Sequence, residues 1–272
     1  MKILFWNTAN SENINIFIKE LVLENNISII VLAEYKDDVK ELIDALELGG
    51  KRMKECITIG CNRLKIIASL NNIEPGRQSD YASMQIIDNT YILCGIHLPS
   101  QIYGGNEEMR NIVINQIVTD ICDTEQELCT ENTIIVGDFN INPYDIGCTG
   151  AQYFHGLPVY EDTKRKSRKV AGQDFYMFYN PMWNFLGDFE SPCGTYYYNG
   201  SKANNTYWNL YDQVIIRPAI RNQFIDKSLR IITEVNTKSL VNDKGHPNQQ
   251  ISDHLPIMFE IKEDYYGKKI GD

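Results

Sequence analysis

The long apolar runs of this chain stop, one after another, at an amide, an acid or an imidazole. "KILFW" ends at Asn7, "ISIIVLA" at Glu34, "TYILCGI" at His97 and "TIIVG" at Asp138, with Asn140 two residues further on. Two more runs begin where such residues stop: Asp212 stands directly before "QVIIR", and Asp253 and His254 directly before "LPIMFEI". Short runs this apolar read as strands buried against other layers. Turn chemistry covers each break singly. Gly, Asp and Asn are turn residues, and "NP" follows Asn140. Asn7 could cap a helix, Glu34 and Asp212 could be solvated strand ends, and His97 could be a satisfied core histidine. None of this explains why every long run breaks at a residue that binds metals or moves protons. In a mixed sheet the end of one strand and the start of its antiparallel neighbour share a rim, so all these groups could face one cleft. Within "GDFN", period-two alternation of an extended chain puts Asp138 and Asn140 on one side and Phe139 on the other.

Between the runs the spacing turns helical. Ile14, Phe17, Ile18 and Leu21 follow a cap at Asn10 or Ser11. Val39, Leu42, Ile43 and Leu46 mark a second short helix, and Met109, Ile112, Val113, Gln116 and Ile117 a third. "RLKIIASL", "YASMQII" and "TYILCGIHL" read as successive antiparallel strands. The second half is looser, with strands expected at "DFYMFY", "GTYYY", "DQVIIR", "SLRIITEV" and "LPIMFEI". No repeat, linker or break in composition separates two cores. Residues 1–262 therefore read as one mixed α/β domain and 263–272 as a short tail.

With 43% hydrophobic residues, wholesale disorder is excluded. A formal net charge of −10 argues against coating nucleic acid or anionic membrane by bulk electrostatics. It does not argue against a nuclease, because bound divalent cations supply positive charge locally. The seven cysteines are odd in number and show no C-x-x-C spacing, which suits reduced thiols rather than a disulfide framework or a zinc site. The N-terminus lacks a signal-peptide layout, and no apolar run approaches the ~18 residues of a membrane span. A soluble, cytoplasmic protein is expected, and no obligate protein partner is implied.

The stretches "FWNT", "LAEY", "GIHLP", "GDFNINP", "YDQVII" and "SDHLPI" together resemble the endonuclease/exonuclease/phosphatase superfamily, in that family's order and over residues 5 to 257. That superfamily includes DNase I-like nucleases, AP endonucleases, sphingomyelinases, deadenylases and inositol-phosphate phosphatases. The resemblance implies a four-layer α/β sandwich, two mixed sheets packed face to face with helices outside. It implies Mg²⁺ or Mn²⁺ as cofactor, in keeping with hard oxygen donors, with Glu34 as the main ligand and Asn7 and Asp253 supporting it. Asp138 would orient or deprotonate the attacking water, Asn140 would donate to a phosphoryl oxygen or to the nucleophile, and His97 would bind a non-bridging oxygen. His254 would serve as acid–base or phosphate-stabilising group, with Asp212 accepting its ring proton. Two positions depart from the family pattern. AP endonucleases carry Tyr where this chain has His97, which tilts the resemblance towards the DNase-like and sphingomyelinase-like branches. Gln213 stands where an aromatic is common, a change expected to affect packing.

Three features bear on substrate. Arg110, on the helix after the His97 loop, either faces phosphate or lies on the helix surface. "TKRKSRK" carries Lys164, Arg165, Lys166, Arg168 and Lys169 and either contacts a polyanion beyond the scissile phosphate or forms a solvated loop. The segment from Tyr153 to Tyr211 is dense in aromatics, which stack bases in many single-strand binders and otherwise fill a core. Exposure is expected for one or two near Tyr197. The expected activity is a divalent-metal-dependent phosphodiester hydrolase, a nuclease on DNA or RNA. The alternatives are a phosphatase or phosphodiesterase of a small metabolite or lipid head group, and a catalytically silent binding module.

Overall fold

The computed structural model describes residues 1–100, 107–189, 191–201 and 205–262, so the expected tail lies outside the described residues. The apolar runs are distributed over two mixed sheets. In the first, six strands lie in the spatial order Arg230–Ile231, Ile257–Glu260, Lys2–Asn7, Ile29–Ala33, Leu64–Ala68 and Lys54–Glu55. In the second, seven follow the order Ile73–Gln78, Ala82–Ile87, Tyr91–His97, Thr133–Asp138, Asp212–Ile216, Phe178–Tyr179 and Gly156–Leu157. The main helices are α1 (Asn15–Asn25), α2 (Val39–Leu48) and α3 (Glu107–Leu128). Among the described residues no helix is long and apolar enough to cross a membrane.

Alternation along the strands explains the layering. Leu93, Ile134, Val136, Val214 and Ile216 of the second sheet join Phe5, Val31 and Ile66 of the first in one buried cluster. Their chain neighbours Ile92, Cys94, Ile96, Ile135 and Ile215 join Val113, Ile114, Ile117 and Ile121 of α3 in another. Every second residue thus faces the partner sheet and the others face a helix, which is why these strands are apolar on both sides. The architecture is the expected sandwich of two mixed sheets with helices outside. Asp38 caps α2, accepting from the backbone N–H groups of Lys40 and Glu41.

Some local expectations need correction. Helix α1 starts at Asn15 with no side-chain cap, because the Asn10 carboxamide donates instead to Glu34 Oε2 at 2.9 Å. Leu64–Ala68 and Ala82–Ile87 are not neighbours but belong to different sheets. Between them runs a strand that the pattern hid, Ile73–Gln78. It is an edge strand, so it tolerates Pro75 and Gly76 and an irregular register between Pro75 and Gln78. "DFYMFY" is broken at Met177 into Gln173–Tyr176 and Phe178–Tyr179, and "SLRIITEV" into Arg230–Ile231 and Glu234–Val235.

Gly137 decides how closely the strands ending in His97 and Asp138 pack. A Cβ there would overlap the carbonyl oxygen of Ile96. Gly137→Ala should therefore push these two strands apart and cost about 1–3 kcal/mol, the range for overpacking a filled interior. Urea unfolding of both forms measures this; an unchanged midpoint would show that the strands have slack at this point.

Candidate active site

Parallel pairing of Lys2–Asn7 with Ile29–Ala33 brings Asn7 and Glu34 to one rim of the first sheet, and the antiparallel Ile257–Glu260 starts beside them. In the second sheet, His97 and Asp212 are both in register with Asp138. The two rims meet. Asn7 Nδ2 donates to Asp138 Oδ2 across the sheets at 2.9 Å and reaches Glu34 Oε1 at 3.4 Å. His97 Nε2 lies 3.4 Å from Glu34 Oε1 and 3.8 Å from Asp138 Oδ2. Asn7, His97 and Asp138 are buried, and all of these groups apart from Asn7 line a cleft of about 920 Å³ with Asn140, Asp253 and His254.

On the far side of Asp138, His254 Nδ1 is 2.8 Å from Asp212 Oδ2. The His254 backbone is pinned by its neighbours: its carbonyl accepts from Trp6 Nε1, and its N–H donates to Ser252 Oγ. Ser252 in turn donates to the carbonyl of Asn7. Burial opposes a charge on the imidazole, but the Asp212 carboxylate, with Asp138 and Asp253 behind it, outweighs burial and pushes its pKa up to about 10. Burial likewise raises the Asp212 carboxyl above its ordinary range, against the pull of the imidazolium. With Nδ1 committed to Asp212, the other ring nitrogen, Nε2, lies 3.9 Å from Asp253 Oδ1.

Asp138 and Asn140 come together by a different route from strand alternation. The strand ends at Asp138, and Asn140 is left-handed at φ 50°. Its backbone N–H donates to Asp138 Oδ1 at 2.8 Å, an Asx turn that satisfies the carboxylate locally. Turn chemistry and site geometry are one feature here. Asn140 Nδ2 spends one hydrogen on the Leu98 carbonyl at 2.9 Å, leaving the other of its two amide donors. Arg110 is not on the helix surface. Only 3% exposed, it lies under the "GDFN" turn, with Nη1 3.3 Å from the Asn140 carbonyl, and lines the cleft. Gln213 braces the same turn from below, donating to the Ile141 carbonyl and accepting from Asn180 Nδ2.

Glu34 sits just past its strand at φ 46°, a left-handed conformation costing a glutamate about 1–2 kcal/mol. Its carbonyl accepts from Thr8 Oγ1 and from the Asn10 N–H, both at 2.8 Å, which hold the turn in place. Whether a divalent cation fits is a question of donors. Glu34, Asp138 and Asp253 present carboxylate oxygens to the cleft, and Asp212 Oδ1 is buried with no partner among the described residues. Hard oxygen donors of this kind suit Mg²⁺ or Mn²⁺. Asp138, Asp212 and His254 also present atoms within 4.8 Å of one another. The Asp212–His254 hydrogen bond already uses Nδ1 of that group, and Glu34 and Asp253 offer further carboxylates along the same cleft.

The basic segment is elsewhere. Lys166 pairs with Glu131, just before the strand Thr133–Asp138, so it sits at the opposite end from Asp138, about 17 Å away at ~3.3 Å per strand residue. Lys164 pairs with Glu161 and Lys169 with Asp174, and none of Lys164, Arg165, Lys166, Arg168 and Lys169 lines the cleft. Following "GDFN" in sequence does not put a segment on the same rim as Asp138, because the chain crosses the sheet in between. Tyr197 is half-buried and lines a neighbouring groove rather than the cleft. The apolar and turn patterns hide the supporting contacts of Trp6, Asn10 and Ser252; within the stretch Tyr196 to Tyr198, where one or two exposed rings are expected, Tyr196 packs on His254 with ring centroids 4.8 Å apart. "FWNT" and "SDHLP" contain two of these, hidden among residues that read as core or turn.

No family model matches the sequence, and no curated protein matches it. Solved structures do match in fold. A 3′-5′ exonuclease (NExo) from Neisseria meningitidis superposes with a TM-score of 0.59 at 17% identity, covering 97% of this chain and 100% of the other. A 3′ phosphatase NExo from Neisseria bound to product DNA hairpin gives 0.58 at 16% identity, with the same coverage. An AP endonuclease from Archaeoglobus fulgidus gives 0.57 at 12% identity, again over 97% and 100%. The chain thus has the DNase I-like fold of the endonuclease/exonuclease/phosphatase structures.

The histidine–carboxylate pair sets a pH dependence. His254 has a folded pKa raised above the unfolded 6.5, so its stabilisation is complete below about pH 6.5 and is lost as pH rises through about 10. Asp212→Asn should drop the His254 pKa by ~2 units or more, as expected when an adjacent opposite charge is removed. It should also flatten the decline in stability over that window. NMR titration of the His254 ring and unfolding at the two pH limits measure both; an unchanged ring titration would uncouple the residues.

Proposed function

We propose that a chain with this fold and this rim of residues is a Mg²⁺- or Mn²⁺-dependent phosphodiesterase acting on nucleic acid. The observation that carries the proposal is the contact from Asn7 to Asp138. It draws Glu34, His97, Asp138, Asn140, Asp212, Asp253 and His254, supplied by both sheets, around one cleft. Phosphodiester hydrolysis requires an oriented water, neutralisation of phosphoryl charge and stabilisation of the leaving oxygen. Glu34 and Asp253, with Asn7 beside them, would hold the cation, which when bound supplies positive charge at the phosphoryl oxygens. Asp138 is held by Asn7 on one oxygen and by the Asn140 N–H on the other, so its remaining lone pairs have a fixed direction for taking the proton of the attacking water. His254 Nε2–H, charged and steadied by Asp212, donates to a phosphoryl or leaving oxygen. His97 and the free amide hydrogen of Asn140 supply further donors, and buried Arg110 adds a fixed positive charge beneath them.

The extent of substrate contact is short. Beside the His254 imidazolium, the cleft lining holds only two cationic side chains among the described residues, Arg63 and Arg110. A protein that follows a long duplex neutralises several phosphates. This favours a short or terminal stretch of strand, and it also supports a second reading, a phosphomonoester substrate. That a Neisseria structure of this fold was solved with product DNA hairpin supports nucleic acid as the substrate class. All seven thiols are free, in keeping with a reducing compartment such as the cytoplasm.

A panel of single-stranded, duplex and 3′-phosphorylated oligonucleotides beside phosphorylated small metabolites, with and without EDTA, tests this reading. Expected is metal-dependent release from an oligonucleotide; turnover unaffected by chelation would overturn it. Glu34→Gln should weaken Mg²⁺ binding in calorimetry with the fold intact. His254→Ala and Asp212→Ala should each lower kcat/KM by roughly two to four orders of magnitude. The double variant should be little worse than His254→Ala, because Asp212 acts through the histidine. Multiplication of the two penalties would show that they work separately.

A further inference from the structure

Next to the catalytic cleft opens a second groove of about 430 Å³, and Asp253 lines both. Its wall is a set of packed rings. Tyr197 and His246 lie face to face, with centroids 3.5 Å apart and planes 12° apart. Trp208 meets both edge-on, at 5.3 and 5.8 Å. Tyr196–Tyr197 pairs with Trp208–Asn209 as a short ladder, and Tyr196 also forms a bridge with His254. Alternation along this ladder explains the division of labour: Tyr196 and Tyr198 line the cleft, and Tyr197 between them lines the groove. The ring wall is therefore one residue away from a residue bonded to the catalytic histidine's own backbone.

Phosphoryl chemistry makes no use of these rings. Around them the groove presents the carboxamides of Asn199, Asn242 and Gln249, the carboxylates of Asp243 and Asp253, and Lys244 as its cation. The Asn242 side-chain oxygen is tied into its own turn by the N–H groups of Lys244 and His246, which leaves its amide hydrogens for a ligand. Stacked rings, side chains that both donate and accept, and a cation beside a phosphodiester cleft together describe a site for a nucleobase. A base inside a duplex has both faces covered by its neighbours and its pairing edge occupied, so only an unpaired base can meet both wall and amides. We propose that this groove binds the unpaired nucleobase of the nucleotide adjoining the scissile phosphate, so that the substrate is single-stranded at that position. The inference rests on the nuclease reading and adds the strandedness of the substrate to it.

Two single-stranded oligonucleotides test this, identical except that one carries an abasic tetrahydrofuran in place of the base beside the cleaved bond. The intact strand should be favoured roughly ten- to hundredfold in kcat/KM, mostly through KM, the range for loss of one stacked base. In His246→Ala that preference should collapse to within about threefold, after circular dichroism shows the variant folded. A measurement on the unaltered protein does not depend on that variant: adding adenosine 5′-monophosphate should shift the ring resonances of His246. Equal cleavage of the two strands, or a duplex cleaved as fast as the single strand, would overturn the groove assignment and leave the nuclease reading standing. Hydrolysis of phosphorylated metabolites with neither strand cleaved would instead overturn the nuclease reading itself.

Discussion

One hydrogen bond, from Asn7 to Asp138, joins the ends of the two central strands of two different sheets, and the site exists because both strands stop there. Each residue is held at its place by an apolar register. Ile3, Leu4, Phe5 and Trp6 are buried ahead of Asn7, as are Ile134, Ile135 and Val136 ahead of Gly137 and Asp138. A slip of one residue in either strand would exchange the side chains of its two apolar faces and misfit the close packing on both sides. The sandwich core thereby fixes a distance of 2.9 Å between groups 131 residues apart in sequence. No loop could hold that distance with equal rigidity.

Most of that rim could be read from the residues themselves, for a physical reason. Strands buried on both faces leave no position for a polar side chain except at their ends, so Asn7, Glu34, His97, Asp138 and Asp212 stand out as the points where burial stops. The same logic fails where burial is partial. Ile73–Gln78 is an edge strand, half exposed and carrying Pro75, and its composition is that of a loop. Arg110 reads as a surface residue because helical spacing gives a face but not the depth of the groove that the face enters. The basic run from Lys164 to Lys169 follows "GDFN" closely in sequence, yet lies beyond the far end of the strand because the connection recrosses the sheet. Position along the chain is informative only when the strand directions are known.

The turn at Asn140 shows where two readings of one motif converge. Alternation and turn chemistry make opposite statements about the backbone after Asp138, and the backbone follows the turn. The two residues still come together, because the turn itself delivers the N–H of Asn140 to the Asp138 carboxylate. Glu34 makes a similar bargain on the opposing sheet. A glutamate held left-handed is strained, and the Thr8 and Asn10 contacts hold it there. Strain of this kind persists where surrounding structure over-determines it, and here the surroundings are the ends of two apolar strands.

An acidic protein with acidic groups at its cleft would seem poorly suited to an anionic substrate, and its charge distribution sharpens the problem. At a net −10 the long-range field opposes approach of a polyanion, and the one dense run of cations is at the wrong end of the sheet to counter it. Under physiological salt, however, fields fade over ~8 Å, so groups in direct contact decide the outcome. Those groups are favourable: an imidazolium steadied by Asp212, a buried guanidinium under the "GDFN" turn, and oxygen donors suited to a divalent cation. On the proposed reading, such a site would gain little from a long tract of phosphates and much from one phosphate held closely. Selectivity would then come from what the protein touches beside that phosphate, and the ring-lined groove adjoins the cleft through Asp253.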